Sequence, residues 1–378
     1  MPRLAAITIL HKNNLNTQRL PAVMTDTSFH IPDSTHTVDV SVIDTTCQVT
    51  IETDKVFTPQ RPGHDLLKVP TYAFLIKHLT LKHNMLFDLG LREDWWNSAP
   101  PVRDVLLSGQ SHLTVQKDIQ EILQDGSVSM ADISTIVWSH WHIDHIGDAS
   151  LFGSNVKLVV GPGFKDNFLP PYPPNIDAMI LKSDIEGREL EELNFTKDVL
   201  RIGRFNAIDY FGDGSFYFLD APGHSIGHIA ALARVRSAPD SFILMAGDGC
   251  LHGGQLRPSL YAPLCAAGVP RNLRPATGPI PGKSPSESID TNDEIQDPFY
   301  SAASNGVSHD PNEANKTIEY LQAADGRDDV FIVFSHDDTL LDIIDFFPES
   351  ANNFREKGWA KKSKWVFLRD FDQKTIET

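Results

Sequence analysis

The stretch SHWHIDHIGD, residues 139–148, decides the fold of this chain. It places His140, His142, Asp144 and His145 within six residues, directly after a short apolar segment that predicts a buried strand. Such a density of imidazoles and carboxylates is rare by chance, so we interpret it as one compact loop that supplies ligands to two neighbouring metal ions. Imidazole nitrogen and carboxylate oxygen both bind Zn²⁺, and a catalytic zinc site leaves one position open for water.

Four ligands do not fill two metal sites, and the sequence offers three more at later strand ends. His224 lies in DAPGH, Asp248 in MAGDG and His336 in VFSHDD, each after an apolar segment. All seven candidates are nitrogen or oxygen donors, which suits two divalent ions. Zn²⁺ is expected, with Fe, Mn and Co as alternatives. By contrast, His228 is expected to support its loop rather than to bind metal.

Apolar, β-branched segments predict strands that nearly all end in a polar cluster. They cover 36–51, 72–90 (two strands), 133–140, 156–163, 215–224, 228–235, 241–248 and 329–338. Helical spacing of apolar residues predicts helices at 114–124, 309–323 and 338–346. Strands interleaved with helices predict an α/β sandwich with helices outside two central sheets, and strand ends that converge on one edge.

We expect residues 1–378 to form a single domain. Within it, residues 253–308 are rich in Pro, Gly and Ser and lack periodicity, so we predict an insertion that acts as a lid over a pocket. The net charge of −17 argues against a nucleic acid partner and against docking on anionic membranes. Three widely spaced cysteines predict no disulfide framework, and we expect a cytoplasmic protein. The oligomeric state stays open, with a homodimer as one option.

The motif HWHIDH matches the H-x-H-x-D-H signature of metallo-β-lactamase-fold hydrolases. Over about residues 40–345 the chain resembles the N-acyl-homoserine-lactonase branch, which includes fungal lactonases and lactamases. The resemblance implies a four-layer αβ/βα sandwich with a binuclear metal site at the sheet edge. By position it also implies a first metal on His140, His142 and His224, a second on Asp144, His145 and His336, Asp248 as the bridge between them, and Asp88 as a brace for the ligand loop.

The implied enzyme is a metal-dependent hydrolase that opens a small cyclic ester (lactone) or a cyclic amide or carbamate (lactam). A metal-bridging hydroxide would attack the carbonyl carbon, and Asp144 would assist proton transfer. A role in secondary metabolism or xenobiotic detoxification fits this chemistry. Lactonases of this branch carry a Tyr where this chain has Leu251, so His252 and Tyr261 are the candidate catalytic replacements.

The substrate is expected to be an apolar or aromatic small molecule. Aromatic residues that could wall its pocket, although most are expected to pack the fold, are Trp141, Phe164, Phe168, Tyr172, Tyr261, Phe299 and Tyr300. The pair Trp95 and Trp96 is likewise expected to be buried.

Two other functions remain as alternatives. A glyoxalase II-like thioesterase would need a basic cluster for an anionic thioester, for which Lys165, Arg257 and Arg271 are the candidates. A non-hydrolytic di-iron oxidoreductase module would be expected to have a flavin domain and an acidic residue in place of His142.

Overall fold

The computed structural model describes residues 29–109, 111–197, 200–265 and 294–371. Its strands are β1 (Asp39–Glu52), β2 (Phe57–Thr58), β3 (Leu66–His78), β4 (His83–Phe87), β5 (Ser111–Thr114), β6 (Ile133–Val137), β7 (Lys157–Val160), β8 (Leu190–Glu192), β9 (Leu200–Ile202), β10 (Phe205–Asp209), β11 (Phe216–Asp220), β12 (Ile229–Ser237), β13 (Asp240–Gly247), β14 (Leu264–Cys265), β15 (Glu294–Ile295), β16 (Ser301–Ala302) and β17 (Val330–Phe334). Its α-helices are α1 (Pro100–Leu107), α2 (Ile119–Asp125), α3 (Ile143–Ile146), α4 (Phe164–Phe168), α5 (Lys182–Ile185), α6 (Gly253–Leu256), α7 (Pro311–Asp325), α8 (Phe354–Lys357) and α9 (Trp359–Ser363).

Two large sheets form the centre of the molecule. The first has the strand order β5-β1-β3-β4-β6-β7-β8 and the second has the order β17-β13-β12-β11-β10-β9. Strands β4, β6, β7 and β8 pair in parallel, as do β13 and β17. Strand β3 pairs antiparallel with β1 and β4, and β12 pairs antiparallel with β11 and β13. The long strands predicted from the sequence are therefore confirmed.

The two sheets stack face to face, because alternate residues of each strand point into one shared core. Val40 and Val42 of β1 lie in this core together with Phe216 and Phe218 of β11. On the outer face of the first sheet, α2 and α4 pack into a second apolar cluster. On the outer face of the second sheet, α7 packs into a third. The predicted α/β, four-layer αβ/βα sandwich is confirmed.

Capping side chains explain where the predicted helices begin. In α7, the Asp310 carboxylate accepts hydrogen bonds from the backbone N–H groups of Asn312 and Glu313, and Pro311 occupies the first turn. The helix predicted at 114–124 begins only at Ile119, because Asp118 caps it, and Thr114 is the last residue of β5.

The helix predicted at 338–346 is wrong. Asp337 caps a 3₁₀ turn, Asp338–Leu340, and the segment continues as turns instead of an α-helix. The carboxylate of Asp337 accepts hydrogen bonds from both the backbone N–H and the hydroxyl of Thr339, which stabilises this tight turn.

The predicted insertion is only partly described. Within 253–308, β14 pairs with β15, and β16 pairs with β2 beside the first sheet. Residues 266–293, the most Pro-rich part of the predicted lid, lie outside the described residues. The lid and the single-domain organisation therefore stay predictions. In the part of the chain that the structure describes, no helix is both long and apolar enough to span a bilayer.

Candidate metal centre

The seven predicted ligands come together where strands of both sheets end. The loop 139–148 follows β6 of the first sheet, and α3 begins inside it. His224 follows β11, Asp248 follows β13 and His336 follows β17, all strands of the second sheet. Each candidate ligand thus lies in a segment that follows a buried strand, and Asp144 and His145 lie on the short helix α3, so the backbone can position these side chains for coordination.

The ligands form two groups. His140, His142, His224 and Asp248 make the first ligand group, and Asp144, His145 and His336 make the second; within each group the donor atoms lie within 4.8 Å of one another.

Asp248 faces both groups. Its Oδ2 is 3.2 Å from Nε2 of His224 and 3.7 Å from Nε2 of His140. Its Oδ1 is 3.3 Å from Nε2 of both His145 and His336. Each carboxylate oxygen therefore points at a different ligand group, which is the geometry expected of a bridging ligand.

Asp88, at the end of β4, braces the ligand loop. It is fully buried and has a φ of 62°, a backbone conformation that Asp tolerates better than most residues. Its Oδ1 accepts the backbone N–H of Ser139 at 2.7 Å, and its Oδ2 accepts the Ser139 hydroxyl at 2.7 Å and Nδ1–H of His145 at 2.9 Å. Because Ser139 Oγ donates to Asp88, it is free to accept Nδ1–H of His140 at 3.0 Å. Both rings are then left with a lone pair on the inner Nε2.

Backbone contacts also fix the rings of His336 and His228. His336 Nδ1 donates to the Pro70 carbonyl at 2.8 Å, which directs the lone pair of its Nε2 inward. His228 Nδ1 donates to the Ala221 carbonyl at 2.7 Å, and its Nε2 accepts the backbone N–H of Asp248 at 2.9 Å. The nitrogen lone pair of His228 is therefore already used, which agrees with the supporting role expected for this residue.

The residues present fit two divalent cations. Nε2 of His140, Nε2 of His145 and Oδ1 of Asp248 are all buried and have no hydrogen-bond partner among the described residues. A buried polar atom without a partner costs about 1–3 kcal/mol, and these three converge instead of avoiding one another. One cation in each group would satisfy these atoms, and the nitrogen and oxygen donor set suits Zn²⁺.

The two groups differ in how tightly they hold protons when no metal is bound. Burial lowers the pKa of His145 and His336, but the carboxylates of Asp248 and Asp144 outweigh burial and raise both pKa values overall. In the first group, burial lowers the pKa of His142 to about 4. A ring must lose its proton to bind a cation, so a raised pKa weakens metal binding below that pKa.

We therefore expect acidification to remove the metal of the second ligand group first. Metal content after dialysis, measured by inductively coupled plasma mass spectrometry, should fall from two ions per chain at a pH of about 8 to one at a pH of about 5.5. Loss of both ions in a single step would contradict this order.

An apolar cavity of about 320 Å³ opens onto the ligands. Five ligand side chains face it, and these are His142, Asp144, His224, Asp248 and His336. The rest of its wall is almost entirely aliphatic, formed by Val49, Ile51, Val56, Leu67, Val69, Pro101, Val102, Val105, Leu106, Leu113, Ile143, Met179, Leu251 and Val307. Of the aromatic residues proposed from the sequence, Trp141 lines the cavity. No Lys or Arg of the described chain lines it.

His252 and Tyr261, the two proposed catalytic replacements, are not brought to this cavity. His252 is buried at the N-terminus of α6, where its Nδ1 accepts the backbone N–H of Gly254 at 2.9 Å and its Nε2 lies 3.1 Å from Asp370 Oδ2. Tyr261 packs against Gly326 at the end of α7. Leu251, between Asp248 and His252, lines the cavity instead.

His252 also belongs to a third cluster of possible ligands, with His64 and Asp370. The position of the proton on the His252 ring argues against a bound cation there. Because Nδ1 of His252 accepts a backbone N–H, the neutral ring must carry its proton on Nε2, which then donates to Asp370. We therefore interpret this cluster as a hydrogen-bonded contact between the C-terminal segment and α6.

The expectation that most of the named aromatic residues pack the fold is confirmed for four of them. Phe164 and Phe168 pack behind the first sheet, and Phe299 and Tyr300 pack around β2, so these rings serve the fold. The expected burial of the Trp pair is wrong for Trp96, which is 56% exposed.

Arg257 is not available to bind an anionic substrate. It is buried, and its Nε donates to Asp325 Oδ2 at 2.8 Å. Of the other two basic candidates, Lys165 lies on α4 with an exposed side chain, and Arg271 lies outside the described residues.

Sequence reasoning missed the aliphatic wall that α1 contributes. The signal was present, because PPVRDVLL has Pro in its first turn and apolar residues at 102, 105 and 106, the spacing of one helical face. Met179, on the loop before α5, carried no such signal.

Comparison with known proteins agrees with this geometry. Residues 67–234, which include the ligand loop and His224, match the family model described as the metallo-beta-lactamase superfamily. The gamma-lactamase FDB1 of Fusarium pseudograminearum is 38% identical, over 90% of this chain and 84% of that protein. The chain belongs to the metallo-beta-lactamase superfamily. The resemblance stated from HWHIDH is thus confirmed.

One further relative and one solved structure show how much of each chain is matched. The cytochrome P450 monooxygenase mpaDE of Penicillium roqueforti is 41% identical over 95% of this chain, but the chain spans only 40% of the length of mpaDE. The crystal structure of a quorum-quenching N-acyl homoserine lactone hydrolase matches 84% of this chain and 99% of its own, with a TM-score of 0.54 and 17% identity. At that identity the likeness concerns the fold.

Proposed function

We propose that this chain is a binuclear metal-dependent hydrolase that opens the ring of a small cyclic ester or cyclic amide. The observation that carries the proposal is the position of Asp248, whose two oxygens face two separate ligand groups at the end of one cavity. We further propose that His140, His142 and His224 hold one Zn²⁺, that Asp144, His145 and His336 hold the other, and that Asp248 contacts both.

Two bound cations would supply the Lewis acidity and the lowered water pKa that carbonyl hydrolysis needs. The residues of the chain supply the rest. The aliphatic walls exclude bulk water, and the ligand side chains confine the ring carbonyl to one end of the cavity. Water oxygen forms a bond to the carbonyl carbon, the ring C–O or C–N bond breaks, and the leaving atom takes a proton. Asp144 faces the cavity and is the proposed carrier of that proton.

Substrate chemistry is constrained by the cavity wall. A glutathione thioester carries charged carboxylates, and the described wall offers no Lys or Arg to pair with them. A neutral ring compound needs no such partner. The name gamma-lactamase, carried by a relative matched over 84% of its length, supports a ring amide, while the apolar wall suits a ring ester equally well.

Proton release at fixed pH by the Zn²⁺-loaded protein tests the proposal. The panel comprises an aliphatic lactone, an aromatic lactone, a cyclic carbamate, a γ-lactam and a glutathione thioester. We expect turnover of at least one ring ester or ring amide that a chelator abolishes and added Zn²⁺ restores. Turnover of the thioester alone would contradict ring opening and favour the glyoxalase II-like alternative.

A further inference from the structure

The segment that carries His336 lies against strand β3 of the other sheet. The pairing of β3 with β4 starts at Phe74, so residues 70–72 of β3 have no partner strand on that edge in the described structure. The segment after β17 occupies the edge instead, because the backbone N–H of Tyr72 donates to the Ser335 carbonyl at 2.9 Å. The two sheets are therefore joined by a hydrogen bond one residue before a candidate metal ligand.

Tyr72 contacts the residue on each side of His336. Besides the bond from its backbone to Ser335, its phenolic O–H donates to the Asp337 carbonyl at 2.9 Å. The ring of His336 in turn donates Nδ1–H to the Pro70 carbonyl at 2.8 Å. Three hydrogen bonds with one short stretch of β3 thus fix both the backbone and the ring of His336.

A bulge in β1 lies opposite the same stretch of β3. The pairing of β1 with β3 shifts between Asp44 and Gln48, so residues 45–47 of β1 lie opposite Thr71. Within the bulge, the Thr45 hydroxyl donates to the Thr71 carbonyl at 2.6 Å. Bulges are common beside functional sites, where they redirect side chains. Here the Thr71 hydroxyl reaches Oδ2 of Asp144 at 3.5 Å.

These contacts are specific to one ligand group. Asp144 and His336 both belong to the second group, and among the described residues no hydrogen bond joins β3 to a member of the first group. Thr71 and Tyr72 are fully buried, and the Tyr72 ring packs against Phe346 with 5.3 Å between ring centroids. Packing therefore fixes the Tyr72 hydroxyl independently of any bound ion, which is what the support of a preorganised metal site requires.

We propose that residues 70–72 of β3 form a brace for the second ligand group, and that Tyr72 is a positioning residue for His336. This inference rests on the proposed function, because it assumes that Asp144, His145 and His336 hold a cation. The hydroxyl of Tyr72 then sets the affinity for that cation, whereas the affinity of the first ligand group does not depend on it.

Tyr72→Phe tests the brace, since it removes one oxygen atom and keeps the ring. We expect the Zn²⁺ affinity of the second ligand group, measured by chelator competition, to fall about tenfold. The affinity of the first group should change less than about twofold. Tyr217→Phe is the matched control, because Tyr217 is a buried strand residue whose hydroxyl has no hydrogen-bond partner among the described residues. Unchanged affinity in Tyr72→Phe, or equal losses in both variants, would overturn the proposal.

A double-mutant cycle shows whether the effect passes through His336. His336→Ala should retain only the ion of the first ligand group, and adding Tyr72→Phe should then change the remaining affinity less than about twofold. With one equivalent of Co²⁺, Tyr72→Phe and His336→Ala should give the same absorption spectrum. A further loss of affinity in the double variant would overturn the proposal, because Tyr72 would then support the whole fold.

Thr71 provides a second test that leaves the Tyr72 ring unchanged. Thr71→Val removes the hydroxyl near Asp144 and keeps the side-chain shape, whereas Thr71→Ser keeps the hydroxyl. We expect Thr71→Val to weaken the second ligand group about threefold, and Thr71→Ser to retain its affinity. Equal affinities in these two variants would overturn the brace. The expected affinities without turnover of any ring compound would sustain the brace and reject ring hydrolysis.

Discussion

Asp248→Asn is expected to lower turnover of the ring substrate about a thousandfold and to reduce the metal content from two ions per chain to one. An amide has one oxygen that can bind a cation, and its nitrogen cannot. Because the two oxygens of Asp248 face different ligand groups, one group must lose its shared oxygen. Loss of one cation removes several kcal/mol of stabilisation from the transition state, and each 1.36 kcal/mol is a factor of ten in rate.

The matched control for this change is Asp220→Asn. Asp220 also ends a strand of the second sheet, β11, but it belongs to neither ligand group. We expect it to keep two ions and normal turnover. Metal content by mass spectrometry and circular dichroism of the metal-free proteins distinguish loss of the site from loss of the fold. An Asp248→Asn protein with two tightly bound ions would show that Asp248 does not bridge the groups.

The clustering of the candidate ligands could be predicted from the sequence because each of them lies in a segment that follows an apolar strand with a clear pattern. Continuous apolar runs such as those before His140 and Asp248 indicate buried strands. Neighbouring parallel strands of a sheet place their carboxyl ends at one edge of it. The spacing in HWHIDH then supplied four candidate ligands at once. Strand ends are rigid, so local sequence was sufficient to place them.

The cavity wall was harder to predict because it depends on contacts between residues distant in sequence. Val49, Val102 and Val307 come together only in the folded chain, and nothing local distinguishes a cavity-lining Val from a core Val. Polar residues were equally ambiguous. His252 follows Asp248 closely in sequence, but its ring turns toward α6, because the helix N-terminus needs a hydrogen-bond acceptor there.

Asp88→Asn is expected to weaken metal binding in the second ligand group by about 10–100-fold, although Asp88 touches no ion in the proposed site. Asp88 accepts three hydrogen bonds, from the N–H and O–H of Ser139 and from Nδ1–H of His145. An Asn side chain has only one oxygen, so its NH₂ group would face a donor. His145 can relieve that conflict by moving its proton from Nδ1 to Nε2. Nε2 is the atom that faces Asp248, so a proton there competes directly with a cation.

Asp184→Asn separates this effect from the general cost of changing a buried carboxyl. Asp184 is also buried, but its Oδ1 has no hydrogen-bond partner among the described residues, and burial raises its pKa to about 7. An amide should therefore be tolerated there. Zn²⁺ affinity by chelator competition and thermal unfolding of the metal-free proteins provide the comparison. We expect Asp88→Asn to lose affinity in the second ligand group and to unfold at lower temperature, since an unsatisfied buried donor costs about 1–3 kcal/mol. Equal affinities in the two variants would mean that Asp88 does not set the tautomer of His145.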